Sequence, residues 1–399
     1  MTTKPLEMIT EPEKCTGCGV CRNLCPQGAV RMEIDGEGFL SPVIDAQLCT
    51  GCGLCRRKCP QNNPPELERA EVPATYACWN LDGEQRRLSS SGGMFTLYAE
   101  LILSRGGVVF GAGLDAGQNV LFCAARTPGE LAPLRCSKYV QADTHEIYRR
   151  VKEVLDAGQE ALFTGTPCQV AALYAFLNGD RPNLYTCDLV CHGVPSPLFY
   201  RKWIDHLKQK FGGPILSINM RAKELRTYNM AVDFQIGSPP RHVAFSWRGK
   251  DAEFLGWAFL TNLSLRKCCF ACPYVKTPRF GDITLGDFWK LGKLGSEEGE
   301  KRKGISLNLI NSPKGHALLA DAQKGARLIE RDFAEAASGN LTLREQTPLN
   351  PKRDVFVRDT VAYDYETLLR KYQMEQLRLR WKRMKMKVKR LLRRLLRKR

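Results

Sequence analysis

The sequence predicts an α+β protein in three parts: a small cysteine-rich module, a larger domain built on a mixed α/β sheet, and a basic C-terminal helix. Three observations predict it. The run CTGCGVCRNLCP at 15–26 recurs as CTGCGLCRRKCP at 49–60. From Ala74 onward, strand-like runs (VVFGAG, ALFTG, LYTCDLV) alternate with helical patterns (HEIYRRVKEVLDAG, PLFYRKWIDHLKQKFG), as in layered structure around a sheet. Residues 370–399 hold 15 Lys or Arg and one Glu. At 399 residues the chain has room for two or three domains, since one domain usually takes about 100–200.

The first element is residues 1–62. Between the two repeats, VRMEI and FLSPVI flank DGEG, which reads as two short strands around a glycine turn. Each repeat carries C-x2-C-x2-C, a fourth cysteine after three more residues, and then proline. Such a loop wraps three thiolates round one 4Fe-4S cluster and sends the fourth cysteine to the other cluster. Cys15, Cys18, Cys21 and Cys59 are therefore assigned to one cluster, and Cys49, Cys52, Cys55 and Cys25 to a second. Gly17, Gly19, Gly51 and Gly53 let the backbone turn closely around the sulfurs. A pair of structural zinc sites is the alternative, but zinc does not explain the repeated x3-C-P. All eight cysteines match bacterial-type two-cluster ferredoxins, and the resemblance spans residues 8–62. The polar, proline-rich NNPPELERAEVP that follows places a linker at 63–73.

The large domain is placed at 74–345. Residues 217–247 lack a helical pattern and read as antiparallel strands, so the sheet is expected to be mixed. After Lys301 come a strand (ISLNLI), a helix (SPKGHALLADAQKG) and a second short helix. GAGLDA at 111–116 fits G-x-G-x-x-A after a strand, but a dinucleotide site needs a helix next. DAGQN and VLFCAA follow instead, which is a hairpin.

Three cysteine motifs punctuate this domain: GTPCQVAAL at 165–173, CHGVPSP at 191–197 and CCFACPYVKTPRFGDITLGDFW at 268–289. ALFTG ends a strand and Pro167 suits a first helical turn, so Cys168 is expected at a helix N-terminus that favours its thiolate. Cys191 ends a strand beside His192. Cys269 and Cys272 form a C-x2-C clip, with Cys268 as a competing neighbour. Singly, each is as compatible with a small buried hydrophobe. Together, Cys168, Cys191, Cys269 and Cys272 make one four-thiolate site, and beside two ferredoxin clusters the reading is a third 4Fe-4S cluster rather than zinc.

These motifs, with SSSGGMFTLYAEL at 89–101 and CSKYVQAD at 136–143, resemble the coenzyme F420 hydrogenase/dehydrogenase beta-subunit family over residues 74–345. The resemblance implies FAD beside its own 4Fe-4S cluster, exchanging hydride with a soluble carrier. FAD contacts then fall on Ser91, Gly92, Gly93, Ser137, Lys138, Tyr139, Thr164, Gly165, Thr166 and Gln169. Cys136 stands where the family usually has glycine, and Cys268 where it has a small residue. Independently of the resemblance, clusters pass one electron at a time, whereas deazaflavins and pyridine nucleotides give a hydride, and a flavin serves both. The serine-glycine loop at 89–93, leading into MFTLYAELILS, offers amides and a helix N-terminus to a pyrophosphate; an ordinary capped helix fits the same residues. Lys138 reads as a flavin or carrier-phosphate contact or as an exposed lysine. His192 reads as a proton relay or a structural histidine.

The function so read is an iron-sulfur flavoprotein oxidoreductase. It transfers electrons between a hydride carrier (deazaflavin F420 or NAD(P)H) and a ferredoxin-like partner, through FAD and 4Fe-4S clusters. The alternatives are a ferredoxin-fed flavoenzyme reducing an organic substrate, and a non-catalytic electron-transfer subunit. The opening MTTKPLEMI lacks a secretory apolar run and no stretch reaches the roughly 18 apolar residues of a membrane span, so a reducing cytoplasm is expected. Of the net charge of +18, +14 lies in 370–399, and the nearly balanced body gives no ground for a nucleic-acid partner. After a connecting segment at 346–369, Trp381, Met384, Val388, Leu391 and Leu395 follow Leu377 as one apolar stripe. Such a helix suits the anionic inner face of the cell membrane, a partner helix, or solvent.

Overall fold

Gly19 (φ 73°) and Gly53 (φ 68°) start the two short helices of the cysteine module, α1 (Val20–Leu24) and α2 (Leu54–Arg57), from the left-handed region that only glycine occupies cheaply. The computed structural model describes residues 6–224, 229–247, 253–372, Trp381 and 384–386. Between the helices, β1 (Val30–Ile34) pairs antiparallel with β2 (Leu40–Ile44), Val30 opposite Ile44. Asp35 closes the DGEG turn by accepting from the amides of Glu37 and Phe39 at 2.9 and 3.0 Å and from Ser41 Oγ at 2.7 Å, as aspartate does in tight turns.

In the body, β3 (Ala74–Asn80) is followed by α3 (Gly83–Arg87), α4 (Met94–Ser104), β4 (Val108–Leu114) and β5 (Val120–Ala125). Next come α5 (Ile147–Asp156), β6 (Ala161–Gly165), α6 (Pro167–Leu177), β7 (Leu184–Leu189) and α7 (Pro197–Phe211). Then β8 (Ile215–Ala222), β9 (Asn229–Phe234) and β10 (Arg241–Ser246) precede α8 (Phe254–Leu260) and β11 (Ile283–Asp287). The chain continues through β12 (Ser306–Ile310), α9 (Pro313–Ala322), β13 (Ala326–Arg331), α10 (Phe333–Gly339) and α11 (Arg353–Ala362). A main sheet of eight strands runs in the order β13-β3-β12-β11-β7-β6-β4-β5. Its centre, β4, β6, β7 and β11, is parallel, and the flanking pairs are antiparallel. The sheet is therefore mixed and the class α+β. GAGLDA lies across the β4–β5 hairpin.

The central strands are covered on both faces, which is why ALFTG is so apolar: Ala161, Leu162 and Phe163 are fully buried. One core joins Phe110, Tyr148, Phe163, Phe199 and Trp203; a second packs Tyr98 and Ile102 of α4 and Leu318 of α9 against the other face. Two details differ from expectation. The antiparallel strands of 217–247 do not enter the main sheet; β10-β9-β8 form their own, held by Phe211 of α7 against Phe234 and Phe245 with ring centroids 5.0 and 6.0 Å apart. The mixed character arises instead at the two flanks, where β13, an unforeseen strand, pairs with β3.

The segment 62–73 has no helix or strand, yet it is fastened to the body. Arg69, its side chain 4% exposed, stands 3.3 Å from the buried Asp282 carboxylate and donates to Tyr174 Oη (2.8 Å) and the Phe280 carbonyl (3.1 Å). Arg69→Ala leaves Asp282 with the more distant Lys314, 3.8 Å away, as its cation among the described residues, so it should cost about 3 kcal/mol of stability. Urea unfolding of the two proteins side by side measures it.

At the other end, residues 365–372 are helical, and Tyr365, Leu368 and Tyr372 join the first core. Lys371 pairs with Asp359 at 2.8 Å, and Tyr372 Oη donates to the same carboxylate at 2.6 Å. Beyond Tyr372 the apolar stripe, with Leu377, Val388, Leu391 and Leu395, lies outside the described residues except for Trp381 and residues 384–386. Among the described residues no helix is long and apolar enough to cross a membrane.

Candidate metal centres and a cofactor cavity

All 17 cysteines are free of disulfides. Cys25, Cys49, Cys52 and Cys55 line one small cavity, walled by Leu6, Pro26, Val30 and Ile44. Backbone amides point at two of these sulfurs, Ala29 N–H at Cys25 (3.3 Å) and Leu6 N–H at Cys49 (3.5 Å), the donors that stabilise thiolate ligands. Cys52 is exposed, so this site faces solvent.

The other ferredoxin set lies inward. Cys18, Cys21 and Cys59 are buried. Burial pushes the Cys18 thiol well up, and among the neighbours that raise it further are Cys59, Cys15 and Cys168. The last of these belongs to the body. α1 and its loop are pinned there by Thr144 and Tyr148, which donate to the Cys18 carbonyl at 3.0 and 2.8 Å. Arg266 adds bonds to the carbonyls of Cys15 (2.8 Å) and Leu40 (2.9 Å). A Cβ on Gly17 would fall 2.1 Å from Gln141 Nε2, and one on Gly19 2.2 Å from Thr144 Oγ1. The glycines of the first loop thus serve docking as well as the turn around the sulfurs. Gly53, in the second loop, meets only the flexible end of Arg57.

The third group gathers at the C-terminal ends of parallel strands. Cys168 sits in the first turn of α6 after β6, Cys191 follows β7, and Cys269 and Cys272 come from the segment before β11. They are electrostatic neighbours: Cys168 feels Cys272, Cys191 and Cys269, and Cys191 feels Cys269 and Cys272. The expectation of a thiolate favoured by the helix N-terminus is corrected here. Burial outweighs the helix end and pushes the Cys168 thiol up; burial likewise takes Cys191 to about 12 and Cys272 to about 11. Thiols so placed ionise when a metal displaces their protons. Arg279 is the nearby cation for Cys191 and Cys272, and Arg266 for Cys269. Among the described residues, no group of three or more His, Cys, Asp or Glu side chains is gathered for a single metal ion.

Above these cysteines, at the strand ends where α/β sheets hold ligands, lies a cavity of about 500 Å³. Ser91 and Gly93 reach it from the start of α4, Ser137, Lys138 and Tyr139 from the loop after β5, and Thr164, Gly165, Thr166 and Gln169 from the β6–α6 turn. Gly92 does not line it: its N–H donates to Ser306 Oγ at 2.9 Å, and a Cβ there would meet the Cys78 carbonyl at 2.4 Å. Gln169 closes the α6 cap, its Oε1 accepting from the N–H and Oγ1 of Thr166, both at 2.9 Å. Lys138 is half-buried, with Nζ donating to the carbonyls of Pro133 (2.5 Å) and Arg135 (2.6 Å), and burial brings its pKa down to about 8. Cys136 adopts φ 65°, a left-handed conformation that glycine takes at less cost.

Cys168 and Cys191 line the same cavity, as do Thr16 and Gly17 of the first ferredoxin loop. Two buried hydroxyls on its wall, Thr164 Oγ1 and Thr16 Oγ1, have no partner among the described residues, so the wall retains hydrogen-bonding capacity for a ligand. Volume, mixed lining and unspent hydroxyls fit a flavin.

The opposite wall is only partly marked in the sequence, since Asp287 lies in the 268–289 run whereas Arg221, Trp247 and Phe259 lie in no motif. Trp247, Phe259, Arg221 and Asp287 line it from separate parts of the chain. Arg221 joins Tyr139 Oη (2.8 Å) to Asp287 (2.7 Å), and Tyr139 packs edge-on to Trp247 at 4.6 Å. His192 accompanies them, held by Asn262 at 2.7 Å with its pKa lowered by burial.

Residues 158–336 match the family model for the C terminus of the coenzyme F420 hydrogenase/dehydrogenase beta subunit. Residues 14–63 match the 4Fe-4S dicluster domain. Among solved structures, the chain is similar to one from the F420-reducing NiFe hydrogenase complex of Methanosarcina barkeri, with 17% identity and a TM-score of 0.44, over 76% of this chain and 93% of that one. No curated protein matches.

Proposed function

We propose that this chain, whose residues 158–336 belong to the coenzyme F420 hydrogenase/dehydrogenase beta-subunit family and whose residues 14–63 are a 4Fe-4S dicluster domain, is an iron-sulfur flavoprotein oxidoreductase. Its substrates on this reading are a hydride carrier of the deazaflavin or nicotinamide class and a small redox protein. The observation that carries the reading is one cavity sharing three kinds of wall: the loop residues Ser91, Gly93, 137–139, 164–166 and Gln169, the thiols of Cys168 and Cys191, and the Thr16–Gly17 loop of the ferredoxin module.

FAD would be held by Ser91 and Gly93 at the start of α4, by Ser137 and Tyr139, and by Thr164 and Gly165. A flavin supplies the exchange between a hydride's electron pair and single electrons. The chain's residues supply the rest. Cys168, Cys191, Cys269 and Cys272 would hold a third cluster, with Arg266 and Arg279 offsetting its negative charge. Cys18 and Cys168 act on each other electrostatically, so the inner ferredoxin site and this one are adjacent. Exposed Cys52 makes the outer site the place for a partner to exchange electrons. Trp247 and Phe259 keep water from the far wall, and the neutral His192 is free to take or give a proton there.

The test adds NADPH or reduced deazaflavin to the anaerobically prepared full chain and follows cluster absorbance. Bleaching by one of them, with reduction of a one-electron dye, is the expected result. Clusters that bleach with dithionite but with neither hydride donor would make the chain an electron conduit only.

A further inference from the structure

Tyr274 stands at the seam between the ferredoxin module and the body and touches both sides of it. Its hydroxyl accepts from Gln61 Nε2 at 2.6 Å and donates to the Pro60 carbonyl at 3.3 Å, the two residues that directly follow Cys59. On the body side Tyr274 lies two residues from Cys272, and Arg279 Nη1 donates to its carbonyl at 3.0 Å. The ring lies edge-on to Phe280 with centroids 5.2 Å apart and is 4% exposed. Four thiols act on its hydroxyl, Cys168 and Cys272 from the body and Cys18 and Cys59 from the module. Gln61 in turn lies two residues from Cys59. The Gln61–Tyr274 bond therefore joins the segment just after Cys59 to the segment just after Cys272.

We propose that Tyr274 is a positioning residue for electron transfer: through its bond to Gln61 it fixes the inner ferredoxin cluster against the third cluster, and so sets the gap an electron crosses between them. The inference rests on the third-cluster reading. It identifies a link within the wire made by Gln61 and Tyr274, neither of them a cluster ligand. The hydroxyl is well placed for this because it ties down the segment just after Cys59, whereas other docking contacts, such as Arg266 on Cys15 and Thr144 on Cys18, grip the first cysteine loop.

The test uses the full chain with clusters reconstituted anaerobically, as the parent, Tyr274→Phe, Gln61→Ala and the double variant. Iron per chain is measured first. Loss of the third cluster from the parent would defeat the underlying reading and is recognised there. With iron equal in all four proteins, amide hydrogen exchange at residues 59–63 should rise roughly fivefold to tenfold in each single variant, the effect of one lost hydrogen bond. The magnetic interaction between reduced clusters should weaken, and electron re-equilibration after a sub-stoichiometric pulse of reductant should slow. The double variant should be no worse than Tyr274→Phe, which already removes the Gln61 bond together with the one to Pro60. If Tyr274→Phe loses iron, Gln61→Ala decides alone. Unchanged interaction and unchanged re-equilibration in an iron-replete variant would overturn the proposal and leave Tyr274 a core residue.

Discussion

Cys269→Ser should lower the iron content of the full chain from about twelve to about eight atoms, one cluster of four, while the ferredoxin module keeps its signals. The thiol lies in a buried group with Cys191, Cys272 and Cys168, and serine offers a harder, more basic oxygen in place of a soft thiolate ligand. Cys168→Ser should give the same loss from a different element, the first turn of α6. Cys268 is the necessary control. It is buried beside Cys269 and its hydrogen bond is the largest influence raising that thiol. Cys268→Ser should leave iron where it was. Iron analysis after anaerobic purification decides the matter, and an unchanged count in both Cys269→Ser and Cys168→Ser would mean the ligands are misassigned.

Ser137→Trp should abolish flavin retention. Ser137 lines the cavity from a loop whose fold depends on its backbone, since the Ser137 N–H donates to Ser90 Oγ at 2.9 Å and a new side chain leaves that bond in place. An indole buries on the order of 200 Å² and fills a large part of a cavity of about 500 Å³. The parent should release about one FAD per chain on heating, as one site implies, and the variant less than about a tenth of that, a loss of about 1.4 kcal/mol or more in binding. Iron should be equal in the two. Flavin bound equally by both would place its site elsewhere.

How much of this was legible follows from the range of the interactions. The 4Fe-4S dicluster domain was readable because a cluster loop is local: C-x2-C-x2-C-x3-C and then proline lie within one short run. α5 was readable because Ile147, Tyr148, Val151, Val154 and Leu155 fall on one face. β13 was not, because an edge strand reading ARLIER is half charged and gains its pairing only from β3, far earlier in the chain. Arg221 and Trp247 carry no motif, and although Asp287 lies in the 268–289 run, its place on their wall depends on parts of the chain far apart in sequence. Gly92 shows the opposite failure. It sits in a loop that resembles a phosphate cradle, yet Ser306 takes its amide and β3 leaves no room for a side chain. Cys168 illustrates competing effects: the helix end was visible in TPCQ, but the burial that overrides it depends on residues distant in sequence.

The central claim is that one cavity brings a flavin to a third cluster beside the ferredoxin module. The most direct measurement is iron, acid-labile sulfide and flavin on a single sample of the full chain purified without oxygen. The account predicts about twelve irons and as many sulfides, with about one FAD. About eight irons and no flavin after reconstitution, or zinc without labile sulfide, would contradict it.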